Sequence, residues 1–210
     1  MLFALLSFIR WAKEGCAVLF VRLSTVPTWM YGADIKPIAT AQLGSEAASF
    51  EVEKWKGFII EELFSVIRGR YSNVAESENG CIPLVTAYTQ NNGISKYISC
   101  YDKYIAEGNC LTVANTGQGS VFRTFYQPNR FVPSNNVTCL YPKSFALNKY
   151  TGLFIATLCW LEIPRYSYGR IVNNKQLSDT QIKLPATSGG LPDWDYMEQY
   201  IKSLPYSDRI

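Results

Sequence analysis

The sequence predicts an α+β (mixed α/β) fold, in which a twisted and mostly antiparallel sheet is flanked by helices. Two observations support this prediction. Between Ile82 and about Leu140, short β-branched and aromatic runs alternate with turn residues, which is typical of antiparallel strands. From residue 148 to residue 162 the apolar period changes to that of a helix. One further helix is expected at the N-terminus and a short one at the C-terminus.

Composition limits the class of protein and the chemistry it can perform. With 210 residues, 48% of them hydrophobic and 18% charged, the sequence is that of a folded globular protein with room for one domain. The net charge is only +3, so nucleic-acid binding would have to depend on where positive charge is concentrated. The sequence contains no histidine, which excludes a Ser-His-Asp relay and a histidine zinc ligand.

The first 48 residues are predicted to form a helix and an irregular linker. Residues 1–23 are apolar on most faces, and residues 27–48 contain Pro, Gly and Ser without a clear period. Charges interrupt the first apolar run well short of a membrane span, and no basic region precedes it as in a signal peptide. We therefore predict a cytoplasmic protein without a membrane segment, with reduced cysteines and one folded domain over residues 49–205.

Residues 80–119 are predicted to form the centre of that domain. Short apolar runs flank Asn91-Asn92-Gly93, and a second pair, Leu111–Asn115 and Ser120–Tyr126, flanks Gly117-Gln118-Gly119. Both turn sequences accept positive φ, so each predicts a β-hairpin. The surrounding side chains are rich in hydrogen-bonding groups and poor in charge.

The helix predicted over residues 148–162 has a candidate N-cap in Asn148 and a stop in Pro164. Its apolar stripe is predicted to face the core and consists of Tyr150, Leu153, Phe154, Thr157, Leu158 and Leu161.

The two ends of the predicted domain are less regular. Near its start, Phe58–Ile60 favours a strand and Glu61–Phe64 favours a helical turn, and both assignments stay open. Near its end, a short strand is expected to finish at Leu184-Pro185. The final helix should begin at Pro192-Asp193, with Pro192 at the first helical position. Its predicted buried stripe is Trp194, Met197, Ile201 and Leu204.

Three catalytic interpretations fail on spacing. Gly117-Gln118-Gly119 lacks the third glycine of a dinucleotide motif, because that position is Phe122 and a strand follows it. The only Asp/Glu-x-Lys sequence, Asp34-Ile35-Lys36, lies in the linker, far from the only Pro-Asp, which argues against a metal-dependent nuclease. An amino-methyltransferase motif would require a Pro-Pro pair, and the sequence contains none. We expect no catalytic residue, no cofactor and no metal.

A basic and aromatic segment at residues 165–175 is the strongest candidate for ligand contact. It contains no acidic residue, and its charges suit phosphates, whereas its tyrosines suit a sugar-phosphate backbone. An ordinary solvated loop is the alternative. The residues concerned are Arg165, Tyr166, Tyr168, Arg170 and Lys175.

Six short motifs, in this order, resemble the target-recognition domain of type I restriction-modification specificity subunits and of related fused restriction-methylation enzymes. They cover about residues 50–205 and are Trp-Lys-x-Phe…Glu-Leu-Phe (55–64), Ile-Pro-Leu-Val-Thr-Ala…Asn-Asn-Gly-Ile (82–94), Asn-x-Leu-Thr-Val…Gly-x-Gly (109–119), Tyr-Ser-Tyr-Gly-Arg (166–170), Ile-x-Leu-Pro (182–185) and Pro-Asp-Trp-x-Tyr-Met-Glu-x-Tyr-Ile (192–201). The resemblance implies a recognition domain whose loops and sheet edge enter the DNA major groove. It also implies partner methyltransferase (modification) and endonuclease subunits.

The resemblance has two departures. A full type I specificity subunit carries two recognition domains separated by long helices, whereas one is found here. We therefore expect a half-subunit, which can pair as a homodimer, or a fragment such as the severed C-terminal part of a fused enzyme. Residues 1–48 match nothing in the family.

Together these observations predict sequence-specific binding of double-stranded DNA without catalysis. Side chains that can bond base edges are predicted to read sequence, namely Thr86, Tyr88, Thr89, Gln90, Asn91, Asn92 and Gln118. Cations are predicted to hold phosphates, namely Arg68, Arg70, Lys96, Arg123, Arg165, Arg170 and Lys175.

Two other classes of function stay open from the residues alone. One is a non-catalytic protein-interaction or scaffold domain, in which the first helix and the stripe of Trp194, Met197 and Ile201 dock a partner. The other is a carbohydrate-binding module, which tyrosines beside Asn and Gln would suit.

Overall fold

The computed structural model describes residues 52–117, 119–166, 171–204 and 207. The described residues from Trp55 onward belong to one compact unit of the chain. The predicted N-terminal helix and linker, and three predicted DNA contacts, lie outside the described residues; these contacts are Gln118, Tyr168 and Arg170.

Strands and helices follow one another in an irregular order. The elements are β1 (Lys56–Ile59), α1 (Ile60–Leu63), β2 (Phe64–Arg68), β3 (Asn79–Val85), β4 (Ile94–Ile98), β5 (Cys110–Ala114), β6 (Thr124–Gln127), β7 (Val132–Pro133), β8 (Val137–Pro142), α2 (Lys149–Trp160), α3 (Asn174–Ser178), β9 (Gln181–Leu184) and α4 (Trp194–Ser203). The ambiguity near the start is resolved in favour of both assignments, because strand β1 leads directly into the short helix α1.

The strands form three sheets. One has four strands in the order β2-β8-β5-β6, one has three in the order β4-β3-β7, and β1 pairs with β9. All the pairs are antiparallel except β3 with β7, where Leu84 lies opposite Val132. The predicted α+β class and the mostly antiparallel pairing are confirmed. The parallel pair was not foreseen because a two-residue strand leaves no period in the sequence.

Both predicted hairpins form. β3 pairs with β4 on either side of Asn91-Asn92-Gly93, and β5 pairs with β6 with Val113 opposite Thr124. Each connection is longer than a two-residue turn, since residues 86–93 join the first pair and residues 115–123 the second. The turn residues therefore located the hairpins but not the length of their loops.

The predicted helix caps hold, with one correction. The Asn148 Oδ1 accepts hydrogen bonds from the backbone N–H groups of Tyr150 (2.9 Å) and Thr151 (3.0 Å) at the start of α2. At the start of α4, the carboxylate of Asp193 accepts from the N–H of Tyr196 at 2.9 Å. Pro192 therefore precedes the N-cap and does not occupy the first helical position, because Asp193 takes the capping role.

The predicted core face of α2 is wrong apart from Phe154. The residues that the helix buries are Thr151, Gly152, Phe154, Ile155, Ala156 and Cys159. Apolar side chains surround this helix on most sides, so their period could not select the face that packs. Gly152 decides it, because a Cβ at that position would overlap the ring of Tyr126 on β6.

Helix α4 packs against α2 and the segment that precedes it. The Trp194 ring stacks on Phe145, with centroids 3.9 Å apart, and the Tyr200 ring meets Phe154 edge-on at 5.8 Å. Met197 and Ile201 are buried within the described chain. The stripe proposed for docking a partner is therefore used inside the fold, which argues against the scaffold interpretation based on it.

The five described cysteines are free thiols, and Cys16 lies outside the described residues. Among the helices that the structure describes, none is both long and apolar enough to span a bilayer.

Candidate nucleic-acid interface

Five segments of the chain meet at one end of the four-stranded sheet. Residue pairing places Arg68 opposite Thr138, and Val113 opposite both Thr138 and Thr124, so the last residues of β2 and β5 lie beside the first residues of β8 and β6. We call this region the loop end. It comprises the described residues of five segments, 68–71, 86–90, 115–123, 134–136 and 165–175, and leaves out residue 118 and residues 167–170.

Backbone and side-chain contacts join these segments. The N–H of Ser134 donates to the carbonyl of Val85 at 2.9 Å, which places the hairpin loop beside residues 134–136. The N–H of Val172 donates to the carbonyl of Asn115 at 3.1 Å. The ring of Tyr166 stacks on that of Phe122, with centroids 4.9 Å apart. Segments that are distant in sequence therefore form one continuous surface.

The loop end is strongly biased in charge. The chain carries 17 acidic residues, yet none lies in these segments or in the undescribed stretches that interrupt them. Its described cations come from three of the segments and are Arg68, Arg70, Arg123, Arg165 and Lys175. A concentration of positive charge of this kind attracts phosphates in a chain whose net charge is small.

Arg68 and Arg70 flank a glycine that allows two backbones to touch. A Cβ at Gly69 would overlap the carbonyl oxygen of Ser134, so only glycine permits this approach. The Arg68 Nε donates to the carbonyl of Asn135 at 2.8 Å, and both arginine side chains are exposed. These two cations therefore project from a fixed turn.

Arg123 is held more rigidly than the other cations. Its guanidinium carbon lies 4.8 Å from the centroid of the Trp160 ring, and the Trp160 indole N–H donates to the carbonyl of Thr124 at 2.7 Å. The backbone of Arg123 is bonded on both sides, to Ser120 and Ala114 at 2.9 Å each. Its Nε is buried without a hydrogen-bond partner, and no carboxylate pairs with it in the described chain.

Tyr166 anchors the basic segment to the fold. Besides stacking on Phe122, its hydroxyl lies 3.2 Å from the Thr180 Oγ1, within hydrogen-bond distance. Phe122 is fully buried and has φ +66°, a left-handed conformation that side chains of this size rarely adopt. The strain is balanced by packing around Phe122, and the stack fixes where residues after 166 leave the core.

The hairpin loop divides into a structural part and a free part. Asn91 and Asn92 both have positive φ, and their amides donate to the carbonyls of Ile94 (3.2 Å) and Tyr126 (2.8 Å). Tyr88 and Gln90 are exposed, and no hydrogen bond joins either side chain to another residue that the structure describes. Thr86 and Thr89 are half-buried and likewise make no side-chain hydrogen bond within the described chain.

Two of the predicted phosphate contacts, Lys175 and Lys96, lie in different parts of the fold. Lys175 is exposed in the first turn of α3, next to Asn174, whose Oδ1 accepts from the Thr138 Oγ1 at 3.2 Å. The predicted loop at residues 165–175 thus ends in a helix, capped by Asn173. Lys96 lies on β4, outside the loop end, and its Nζ is 3.5 Å from the carbonyl of Ser77.

A buried polar cluster beneath the loop end was not predicted. The Asn115 side chain is 1% exposed and donates to the Thr138 Oγ1 at 2.9 Å, while the Ser134 hydroxyl is buried without a partner. The signal in the sequence was Asn115 itself, a polar residue placed directly after the wholly buried strand β5. Through Thr138, this cluster ties residues 115–117 to residues 171–175.

The arrangement suits noncovalent recognition of DNA. Fixed cations can bind phosphates, while unpaired hydroxyl and amide groups can bond base edges. Within the residues that the structure describes, no three His, Cys, Asp or Glu side chains are grouped so as to hold a metal ion.

Residues 52–205 match the family described as the type I restriction modification DNA specificity domain. The chain is 32% identical over 157 residues to the specificity subunit S.BcgI of a type II restriction enzyme from Heyndrickxia coagulans, which covers 75% of this chain and 45% of that protein.

Solved structures of specificity subunits share the fold. The HsdS subunit from Thermoanaerobacter tengcongensis superposes with a TM-score of 0.52 at 16% identity, over 74% of this chain and 37% of that one. The type I S subunit from M. genitalium gives 0.51 at 13%, over 74% and 39%. A chain from a study of type I restriction-modification assembly gives 0.53 at 15%, over 84% and 41%. This chain spans less than half the length of each of these relatives.

Proposed function

The chain belongs to the type I restriction modification DNA specificity domain family, and on that premise we propose that it binds double-stranded DNA and reads its sequence with the loop end. The observation that carries the proposal is the charge of that surface. Six of the chain's 20 basic residues and none of its 17 acidic residues lie in these segments, counting Arg170. Phosphate contacts of this kind position a protein on DNA and supply most of its nonspecific affinity.

The side chains divide into two roles in this proposal. The cations of the loop end, together with Arg170 and Lys96, bind phosphates. Base edges are read by the side chains that the fold leaves unpaired in the described chain, Thr86, Tyr88, Thr89 and Gln90, and by Gln118. Asn91 and Asn92 hold the hairpin in place, since their amides already bond backbone carbonyls. Tyr166 fixes the path of the basic segment, from which Tyr168 reaches the sugar-phosphate backbone.

We infer that catalysis belongs to other chains. S.BcgI is named as a specificity subunit, so methyltransferase and endonuclease subunits are the expected partners here. Residues 49–205 supply one recognition domain in this proposal, and two copies pair as a homodimer to read a two-part site. The severed C-terminal part of a fused restriction-methylation enzyme is the alternative. Because the DNA of the cell is the target, we propose the cytoplasm as the location.

The first test is binding to a pool of random duplexes, with and without a methyltransferase subunit, followed by sequencing of the bound fraction. We expect one enriched sequence and a binding constant that falls steeply with salt, because phosphate contacts release counterions. A variant in which both Arg68 and Arg70 are replaced by Gln should have a shallower slope of log K against log salt, by roughly two units. Absence of salt-dependent binding to any duplex under both conditions would reject the proposal.

A further inference from the structure

One acidic residue stands directly beside the loop end. Glu162 follows α2, and a short 3₁₀ turn over Ile163–Arg165 brings its carboxylate to Arg165, with Oε2 2.8 Å from Nη1. The Glu162 side chain is 14% exposed and that of Arg165 is 67% exposed. The arginine therefore faces solvent at the proposed DNA surface while its anionic partner lies against the protein.

Stability does not explain this acid. The Oε2 of Glu162 is buried, and its contact with Arg165 falls outside the geometry of a hydrogen bond. Burial raises the pKa of Glu162, and the neighbouring Arg165 lowers it by less. A carboxylate near the C-terminus of α2 also opposes the helix dipole. A neutral residue of the same shape would avoid these costs, so the charge calls for another explanation.

We propose that Glu162 lowers the affinity for DNA by occupying Arg165 in the unbound protein, so that a DNA phosphate must displace its carboxylate. This inference rests on the proposed function and concerns one cation of the same surface. Displacement lowers the affinity for DNA of any sequence, since nonspecific binding depends almost wholly on phosphate contacts. The same cost falls on a specific complex, so the proposed effect is on the affinity for every duplex and not on the ratio of affinities between sequences.

The test compares charge-neutralising variants on DNA of random sequence. The full chain, with a methyltransferase subunit if wild type needs one, is titrated against a fluorescent random-sequence duplex of about 30 base pairs at several salt concentrations, with Glu162→Gln as the variant. Glu107→Gln is the matched control. Its carboxylate pairs with the Nε of Arg130 at 3.2 Å, at the opposite end of the same sheet, where Cys110 pairs with Gln127.

Glu162→Gln should bind roughly two- to fivefold more tightly than wild type at low salt, the range expected for loss of an exposed ion pair. Its plot of log K against log salt should be steeper by at most about one unit, whereas Glu107→Gln should match wild type. The gain should vanish when Arg165 is also replaced by Gln, because the two residues act as a pair.

Two results would overturn the inference while leaving the proposed function intact. One is equal affinity of the Glu162→Gln and Glu107→Gln proteins, and the other is a gain that persists without Arg165. If wild-type protein binds no duplex under any condition, the proposed function fails and takes the inference with it. Thermal melting of each variant shows that the comparisons are made on folded protein.

Discussion

The side-chain amide of Asn92 donates to the carbonyl of Tyr126 across 2.8 Å, which fastens the β3–β4 hairpin to the outer strand of the four-stranded sheet. The Nε2 of Gln127 returns a hydrogen bond to the carbonyl of Asn92 at 2.9 Å. Strand β6 would otherwise present unpaired backbone groups along this edge. Tyr88 and Gln90 are exposed in the same connection, residues 86–93, so the segment that covers this edge also carries two of the side chains proposed to read bases.

Replacing Asn92 with Ala should therefore destabilise the fold. The change leaves the partly buried carbonyl of Tyr126 without this donor and puts Ala at φ +54°, where Asn is better tolerated. We expect a loss of about 1–3 kcal/mol in the free energy of unfolding, the cost of an unsatisfied partner. Urea denaturation measures it. Gln90→Ala is the control, because that side chain makes no hydrogen bond in the described chain, and equal stability of the two variants would refute the role of Asn92.

Arg123 should not tolerate lysine, although the charge is kept. A planar guanidinium stacks on Trp160, whereas an ammonium on a flexible stem is held less well there. Arg123→Lys is expected to weaken DNA binding by roughly 0.5–2 kcal/mol, the scale of a partly buried cation–π contact, without changing the salt slope. Arg70→Lys, at an exposed and unstacked position, should bind nearly as wild type does. Anisotropy titrations decide, and equal affinities for the two lysine variants would contradict the prediction.

The parts of the fold that the sequence predicted are those that depend on neighbouring residues. Asn-Gly turn chemistry located the first hairpin, and Asn148 marked the start of α2, because capping is decided within three or four residues. The core face of α2 was not predictable in this way. Its apolar side chains surround the helix, and the buried side is selected by tertiary contacts such as the close approach of Gly152 to Tyr126.

The sequence predicted which types of residue form the site better than it predicted the contacts between them. The acid-free segment 165–175 is visible in the sequence, since charge is a property of single residues. The stacking of Arg123 on Trp160 and the anchoring of Tyr166 on Phe122 join residues that are far apart in the chain. No local pattern encodes such pairs, because tertiary packing alone brings them together.

Thiol reactivity should follow burial. Cys81 is exposed, whereas Cys159 is fully buried, and burial is the main cause that raises its pKa to about 12. Since the thiolate is the reactive form, Cys159 should stay unmodified at pH 8 while the protein is folded. In a Cys16→Ser background, a disulfide reagent should modify Cys81 first and Cys100 more slowly. The three buried thiols should react only as urea unfolds the chain, and fast reaction of a third thiol in native protein would refute this.

Two glutamates, Glu162 just after α2 and Glu198 on α4, should respond to acid in opposite ways. Burial raises the pKa of Glu162, so between its ordinary value and the raised one the folded state binds more protons than the unfolded state. Stability from this group therefore falls as pH rises through that window. The pKa of Glu198 is lowered by hydrogen bonds from Lys202 and Asn148. Its contribution is present above the ordinary value of a glutamate and is lost as pH falls through the lowered one.

Urea denaturation of the Glu162→Gln and Glu198→Gln variants between pH 3 and pH 7 separates these contributions. Glu162→Gln should lose the decline in stability with rising pH and be at least as stable as wild type at neutral pH, because Gln carries no charge to desolvate. Glu198→Gln should be less stable than wild type at neutral pH and approach it in acid. A shift of the pH profile in the same direction for both variants would contradict this prediction. It would show that burial does not disfavour the charged form of Glu162, as expected for a carboxylate that a DNA phosphate can displace from Arg165.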